Sequence, residues 1–159
     1  LSKTYAMTGW RIGFALGPKP VIDAIMKLQS HSTSNPTSIC QKAAVEALRG
    51  PQESIDVMLA AYKERRRFVI DRLRQIPGVS LDEPQGAFYA YPDISVAFGK
   101  KGINSSMDFC ERLLSEAHVA VVPGEAFGTT KHIRISYATS MHEIERGLDR
   151  IHNFIVALG

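Results

Sequence analysis

The sequence predicts an α/β protein in two parts: residues 1–50, with one strand and two helices, and residues 51–159, a connecting helix followed by a compact α+β unit. Three observations carry this reading. Apolar residues recur at helical spacing in five stretches. Strict alternation occurs in short runs beyond Gly78, clearest in "HIRISYA". Gly-Pro and Pro-Gly steps at Gly50-Pro51 and Pro77-Gly78 punctuate the chain where one pattern gives way to the next.

In chain order, "WRIGFALG" reads as a short strand stopped at Gly17. "PKPVIDAIMKLQSH" is a helix with prolines at its start and Val21, Ile25 and Leu28 on one side. The serine-rich "HSTSNPTS" breaks it, because Pro36 biases Asn35 away from helix, and a second helix from about Thr37 runs to Gly50. The longest helix spans Pro51 to about Ile76. Its apolar stripe of Met58, Tyr62, Val69, Leu73 and Ile76 is interrupted by Arg65, Arg66 and Arg67, so that one side packs and the other meets water.

Beyond it "VSL" and "GAFYAYPDI" are strand-like, with Phe88, Ala90 and Pro92 facing away from Tyr89 and Tyr91. "SSMDFCERLLSEAH" begins on Ser105 with Asp108 three later, which suits a capping box, and its spacing turns Met107, Leu114 and Ala117 inward. "VAVVPGEAFG" and "HIRISYA" are further strands. The last helix starts at Ser140 with Glu143 three later, and Ile144, Leu148, Ile151, Ile155 and Leu158 form its inward stripe. The first fifty residues offer apolar helix faces that need a larger sheet than these residues supply.

Composition narrows the function. The 159 residues are 45% apolar and 22% charged, ordinary for a folded globular protein. No apolar run approaches a membrane span and no secretory signal is evident, so the expected location is cytoplasmic, with no membrane partner. The net charge of +3 is concentrated in "YKERRRFVIDRLR", where acidic residues are interspersed; this is a solvated helix face, and no nucleic-acid partner is expected. Cys40 and Cys110 have no His or Cys at ligand spacing, and neither do the five histidines, so no metal is expected. Both cysteines are expected to be buried free thiols.

Two cations in "LSKTYAMTGWRIG" carry the chemistry. A free lysine, with pKa near ~10.4, is a poor nucleophile at neutral pH unless burial or a neighbouring cation lowers it. Arg11 could be that cation, and its planar fork suits a phosphate. An amine able to form an imine beside a phosphate anchor fits pyridoxal phosphate. Spacing alone is equally met by a frayed lysine and a surface arginine. The surrounding residues are more specific: Ser2 before the lysine, Ala6 and Met7, Gly9 two before Arg11, and Ile12-Gly13 after it.

This arrangement resembles the cofactor-attachment motif of class I pyridoxal-phosphate-dependent aminotransferases, in the aspartate aminotransferase family. The likeness continues through "SNPTS", "PQGAFYAYPDI", "VPGEAFG" and "HIRISYA" to cover essentially the whole chain. It implies a fold-type I transferase of which residues 1–50 are a remnant of the large cofactor domain and 51–159 the connecting helix and small domain. It implies that Lys3 forms the imine with pyridoxal 5'-phosphate and then moves the proton at the substrate α-carbon, that Arg11 binds the cofactor phosphate, and that Arg134 grips the substrate α-carboxylate. Alternation in "HIRISYA" puts Arg134 on one face with His132 and Ser136; an arginine on an edge strand is the other account of that placement.

The substrates implied are an amino acid, aspartate first, and a 2-oxo acid, in a homodimer. Prephenate, aromatic or alanine specificity stays open. So do a lyase or synthase on the same scaffold, such as aminocyclopropane-carboxylate synthase, and a non-catalytic domain. The family's acid for the pyridine nitrogen would lie before Leu1, so the chain is expected to be a fragment inactive alone. Tyr5 and Trp10 are expected to pack, Gly124 and Gly128 to make a tight turn, and His142, Arg146 and Asp149 to form an exposed helix side.

Overall fold

A computed structural model describes all residues from Leu1 to Gly159. The chain divides into two compact units, Leu1–Leu59 and Ala60–Gly159, with the division falling inside a helix.

The first unit holds α1 (Lys19–Ser32), α2 (Ser38–Arg49) and the start of α3 (Glu53–Arg74). Pro20 lies in the first turn of α1, where its missing N–H costs nothing. α2 closes on Gly50 and Pro51 follows, as the punctuation predicts. The expected strand over "WRIGFALG" does not form. A short 3-10 turn covers Thr8–Trp10, Arg11 takes a left-handed conformation (φ 52°), and residues 11–17 pair with nothing. A strand needs a neighbour to satisfy its backbone, and this unit contains no other. Its helices share that want of partners: neither α1 nor α2 has a buried residue, and Met7 is the unit's one buried apolar side chain. Trp10, expected to pack, is exposed, whereas the Tyr5 hydroxyl reaches Gln52 Oε1 at 3.3 Å.

The second unit has a dense core. It comprises the rest of α3, β1 (Tyr89–Ala90), α4 (Ser106–Ala117), β2 (Val122–Pro123), β3 (Ile133–Ser136) and α5 (Met141–Val156). The sheet is antiparallel in the order β1-β3-β2, so β3 is central; Tyr89 pairs with Ser136 and Val122 with Arg134. Only the middles of the expected strands are regular. "VSL" contributes a single bridge, Ser80 to Asp93, and "VAVVPGEAFG" gives the two-residue β2 followed by a 3-10 turn.

Helix faces seal the sheet. Val69, Leu73 and Ile76 from the α3 side, and Ile144, Leu148, Ile151, Ile155 and Leu158 from the α5 side, are buried as their spacing requires. α5 starts with Ser140 Oγ accepting from the Glu143 N–H at 3.3 Å. α4 starts with Ser105 Oγ accepting from the Asp108 N–H at 3.1 Å, but the Asp108 carboxylate turns to the Asn104 N–H at 2.9 Å, one residue outside a regular capping box. The inward face of α4 is also displaced from expectation. Met107 and Leu114 are 44% and 54% exposed, and Phe109, Cys110 and Leu113 are buried instead. Phe109 packs edge-on against Phe154 of α5 at 5.4 Å, and this contact fixes the rotation of the helix. Burial pushes the Cys110 thiol up to about 12, with the Glu125 charge adding to it, so Cys110 is an inert core residue.

Gly78 stops the chain after α3 for two reasons. Its φ of +78° favours glycine, and a Cβ there would come within 2.3 Å of the Val96 side chain.

The contrast between the units has a measurable consequence. Leu73→Ala empties a fully buried site and should destabilise the protein by about 2–5 kcal/mol. Leu16→Ala, at a position 88% exposed, should change stability by less than about 0.5 kcal/mol. Urea denaturation followed by far-UV circular dichroism measures both.

Candidate active site

Lys3 and Arg11 lie on one looped segment of the first unit that is closed by its own hydrogen bonds. The Thr8 hydroxyl donates to the Ser2 carbonyl at 2.9 Å, the Tyr5 N–H to the Leu1 carbonyl at 3.1 Å, and the Arg11 guanidinium to the Thr8 carbonyl at 3.0 Å. Both side chains are exposed and neither has a carboxylate within ion-pairing distance. Arg11 lines a cleft of about 490 Å³ with Trp10, Thr33, Asn35, Thr37 and Cys40, which brings the "SNPTS" loop to the arginine. Lys3 does not line it.

That cleft fits an anionic group. It offers a guanidinium, hydroxyls and an amide, and it has no carboxylate to repel one. Thr37, at the start of α2, makes no capping bond, so the first-turn N–H groups of that helix are uncommitted.

Arg134 stands in the second unit, on the central strand and not on an edge. Ile133 and Tyr137 of the same strand run are buried on the opposite face, so the alternation read from "HIRISYA" is realised. Tyr137 is pinned in the core by its hydroxyl, which donates to the Ala87 carbonyl at 3.1 Å. The half-buried Arg134 guanidinium lies over two rings, Tyr89 at 4.4 Å and Phe127 at 4.6 Å, and has no carboxylate partner.

A polar network holds the turn that carries Phe127. The buried Ser106 hydroxyl donates to the Glu125 carboxylate and accepts from the Gly124 N–H at 2.8 Å, while Glu125 also accepts from the Met107 N–H at 3.3 Å. The Ser106 hydroxyl holds the Glu125 carboxyl below its ordinary value against an opposing effect of burial. Gly124 has no room for a side chain: a Cβ would meet the His132 carbonyl at 2.5 Å. Gly128 ends the turn with φ +84°. Tyr91 stacks on His132 at 4.8 Å and meets Phe127 edge-on at 5.9 Å, and its hydroxyl bonds Thr129 Oγ1 at 2.9 Å. Apart from the two glycines, no sequence motif marks these residues as a network around the turn. The alternation of "GAFYAYPDI" separates Tyr89 from Phe88, but only strand register sets it beside Arg134.

Lys131 ties the start of β3 to Asp93, Nζ to Oδ2 at 2.9 Å. Burial works against the charged Asp93, but hydrogen bonds from Ser95 and the Lys131 ammonium outweigh it and lower the carboxyl from 3.8 to about 2.

The architecture is a mixed α/β one, with Lys3 and Arg11 on one loop of the first unit and Arg134 on the central strand of the second. Residues 1–151 match the family described as aminotransferase class I and II, and the chain belongs to that family. It is 48% identical over 157 residues to an aspartate aminotransferase of Geobacillus stearothermophilus, covering 99% of this chain and 40% of that one. It is 47% identical over 163 residues to an aspartate/prephenate aminotransferase of Cereibacter sphaeroides, covering 99% of this chain and 41% of that one. Among solved structures it superposes on the aspartate aminotransferase of Rhizobium meliloti with a TM-score of 0.92 at 46% identity, over 98% of this chain and 40% of that one. The chain thus spans about 40% of the length of these relatives. No helix is long and apolar enough to cross a membrane.

The Asp93 pair makes a pH prediction. A depressed folded-state pKa stabilises fully above 3.8, and the contribution is lost as pH falls through about 2. Asp93→Asn should cost about 1–2 kcal/mol at pH 7, and its denaturation midpoint should converge with that of the parent protein as the pH falls below about 2.

Proposed function

We propose that this chain supplies the cofactor lysine, the phosphate-binding arginine and the substrate-carboxylate arginine of a pyridoxal-phosphate-dependent aminotransferase. The observation that carries the reading is that, in a member of this family, Arg11 lines a cleft with hydroxyls and no carboxylate, and Arg134 lies over two rings with no carboxylate partner. A cation already paired would have to break an ion pair before it could bind an anionic ligand.

Pyridoxal phosphate, when bound, supplies an aldehyde for the amino group and a ring that accepts the electrons left at the α-carbon. The chain's own residues would do the rest. Arg11, with the hydroxyls of Thr33 and Thr37, would hold a phosphate in its cleft. Lys3 Nζ would carry the cofactor and then take and return the proton at the substrate α-carbon. Arg134 would hold the α-carboxylate in its fork and so orient the bond to be broken. The names of its relatives support aspartate as the amino donor, and a 2-oxo acid would be the acceptor.

Residues 1–50 would belong to a larger cofactor domain and 51–159 to a connecting helix and a small domain. The exposed apolar faces of α1 and α2 support this, since such faces are stable when covered. A homodimer is part of the same proposal. No carboxylate lines the Arg11 cleft, which suits a phosphate there.

Two outcomes test the reading. After incubation with pyridoxal phosphate and borohydride reduction, mass spectrometry should find Lys3 labelled in preference to Lys19, Lys63 and Lys100; equal labelling of all four would remove the support for an organised lysine. The chain by itself should not turn over aspartate and 2-oxoglutarate in a coupled assay, and measurable turnover would show that the pyridine acid is dispensable or supplied by these residues.

A further inference from the structure

Arg134 is an accessible arginine that lies over two rings, whereas Arg65 lies over one. Such a side chain ordinarily finds a carboxylate or a carbonyl, and Arg134 has neither. It has two rings instead. Tyr89 reaches it through strand register: Tyr89 pairs with Ser136, which makes Arg134 its diagonal neighbour across β1 and β3. Phe127 reaches it from the opposite flank of β3, the β2 side, at the end of the 3-10 turn that follows β2. The two rings do not stack on each other. Tyr89 packs on Phe88 at 4.6 Å and Phe127 on Tyr91, so each approaches the guanidinium with separate support.

Aromatic contact and hydrogen bonding use different parts of a guanidinium. A ring attracts its flat face through the quadrupole, whereas a carboxylate binds the N–H edge in the plane. A carboxylate neighbour would fix the side chain but occupy its donors; rings fix it and leave the donors free. We propose that Tyr89 and Phe127 are positioning residues that clamp the Arg134 guanidinium by its faces, so that its N–H edge is presented in advance to the planar carboxylate of an amino or oxo acid. The clamp rests on the reading of Arg134 as the carboxylate grip. Its advantage is entropic: a long flexible side chain is ordered before the ligand arrives. The buried Ser106 hydroxyl extends the effect to α4, because it holds the turn whose last residue is Phe127.

Nuclear magnetic resonance of the ¹⁵N-arginine-labelled chain tests this, with the Arg134 Nε–Hε signal assigned by its absence in Arg134→Lys. Maleate, a planar dicarboxylate, is the probe. In the parent chain the signal should be displaced upfield by ring currents and should move further on adding maleate. Phe127→Leu and Tyr89→Leu should each return it toward the free-arginine position and weaken the maleate response by about three- to tenfold. Phe127→Tyr and Tyr89→Phe, which keep the rings, should behave as the parent. Phe127 is 46% exposed, so its replacement leaves the core intact, and circular dichroism checks that it does.

A parent signal at the free-arginine position would overturn the clamp. A ring-shifted signal that maleate does not move would overturn the carboxylate reading of Arg134, and with it the purpose of the clamp. A maleate response that both leucine variants retain in full would leave the grip standing and overturn the positioning role.

Discussion

The second unit depends on one strand being two-sided. β3 sends Ile133, and Tyr137 just beyond it, into a core closed by α3, α4 and α5, and its other face carries Arg134 toward solvent. A slip of one residue would bury the guanidinium and expose the isoleucine, a change no local adjustment could offset. Register is therefore over-determined. Neighbours pair on both sides of β3, and Pro92 and Asp93 are laced to Lys131, His132 and Ile133 ahead of it. A sheet of such short strands is stable because three helix faces cover it.

The same rigidity makes β3 a good place for a binding group. Arg134 inherits the precision of a strand whose inner face cannot move, and the turn at Gly124 to Phe127 is fastened by a buried serine to the start of α4. No buried side-chain polar atom is left without a partner. The polar groups around this turn are thus part of the packing as well as of the site.

Residues 1–59 are organised differently. Their helices are regular and their punctuation is clear, yet their apolar faces lie open, and short helices in water draw most of their stability from tertiary packing. Lys3 and Arg11 stand on a loop that is held by its own hydrogen bonds and by little else. The two cations are thus fixed less firmly than Arg134, which has two rings against it.

By itself the sequence determined the five helices, their caps at Ser105 and Ser140, the alternation that turns Arg134 outward, and the motif that singles out Lys3 and Arg11. Each of these is written in neighbouring residues, because capping, periodicity and turn chemistry act over a few positions. Tertiary structure decided what depends on partners distant in the chain. "WRIGFALG" has strand composition but no strand beside it, so it stays irregular. Met107 and Leu114 have the spacing of a core face, but the fit of Phe109 against Phe154 rotates α4 away from them. Tyr89 and Phe127 gather at Arg134 from segments 45 and 7 residues away only because two ladders fix their register. Pairing and packing are relations between segments, and no local pattern encodes which segments will meet.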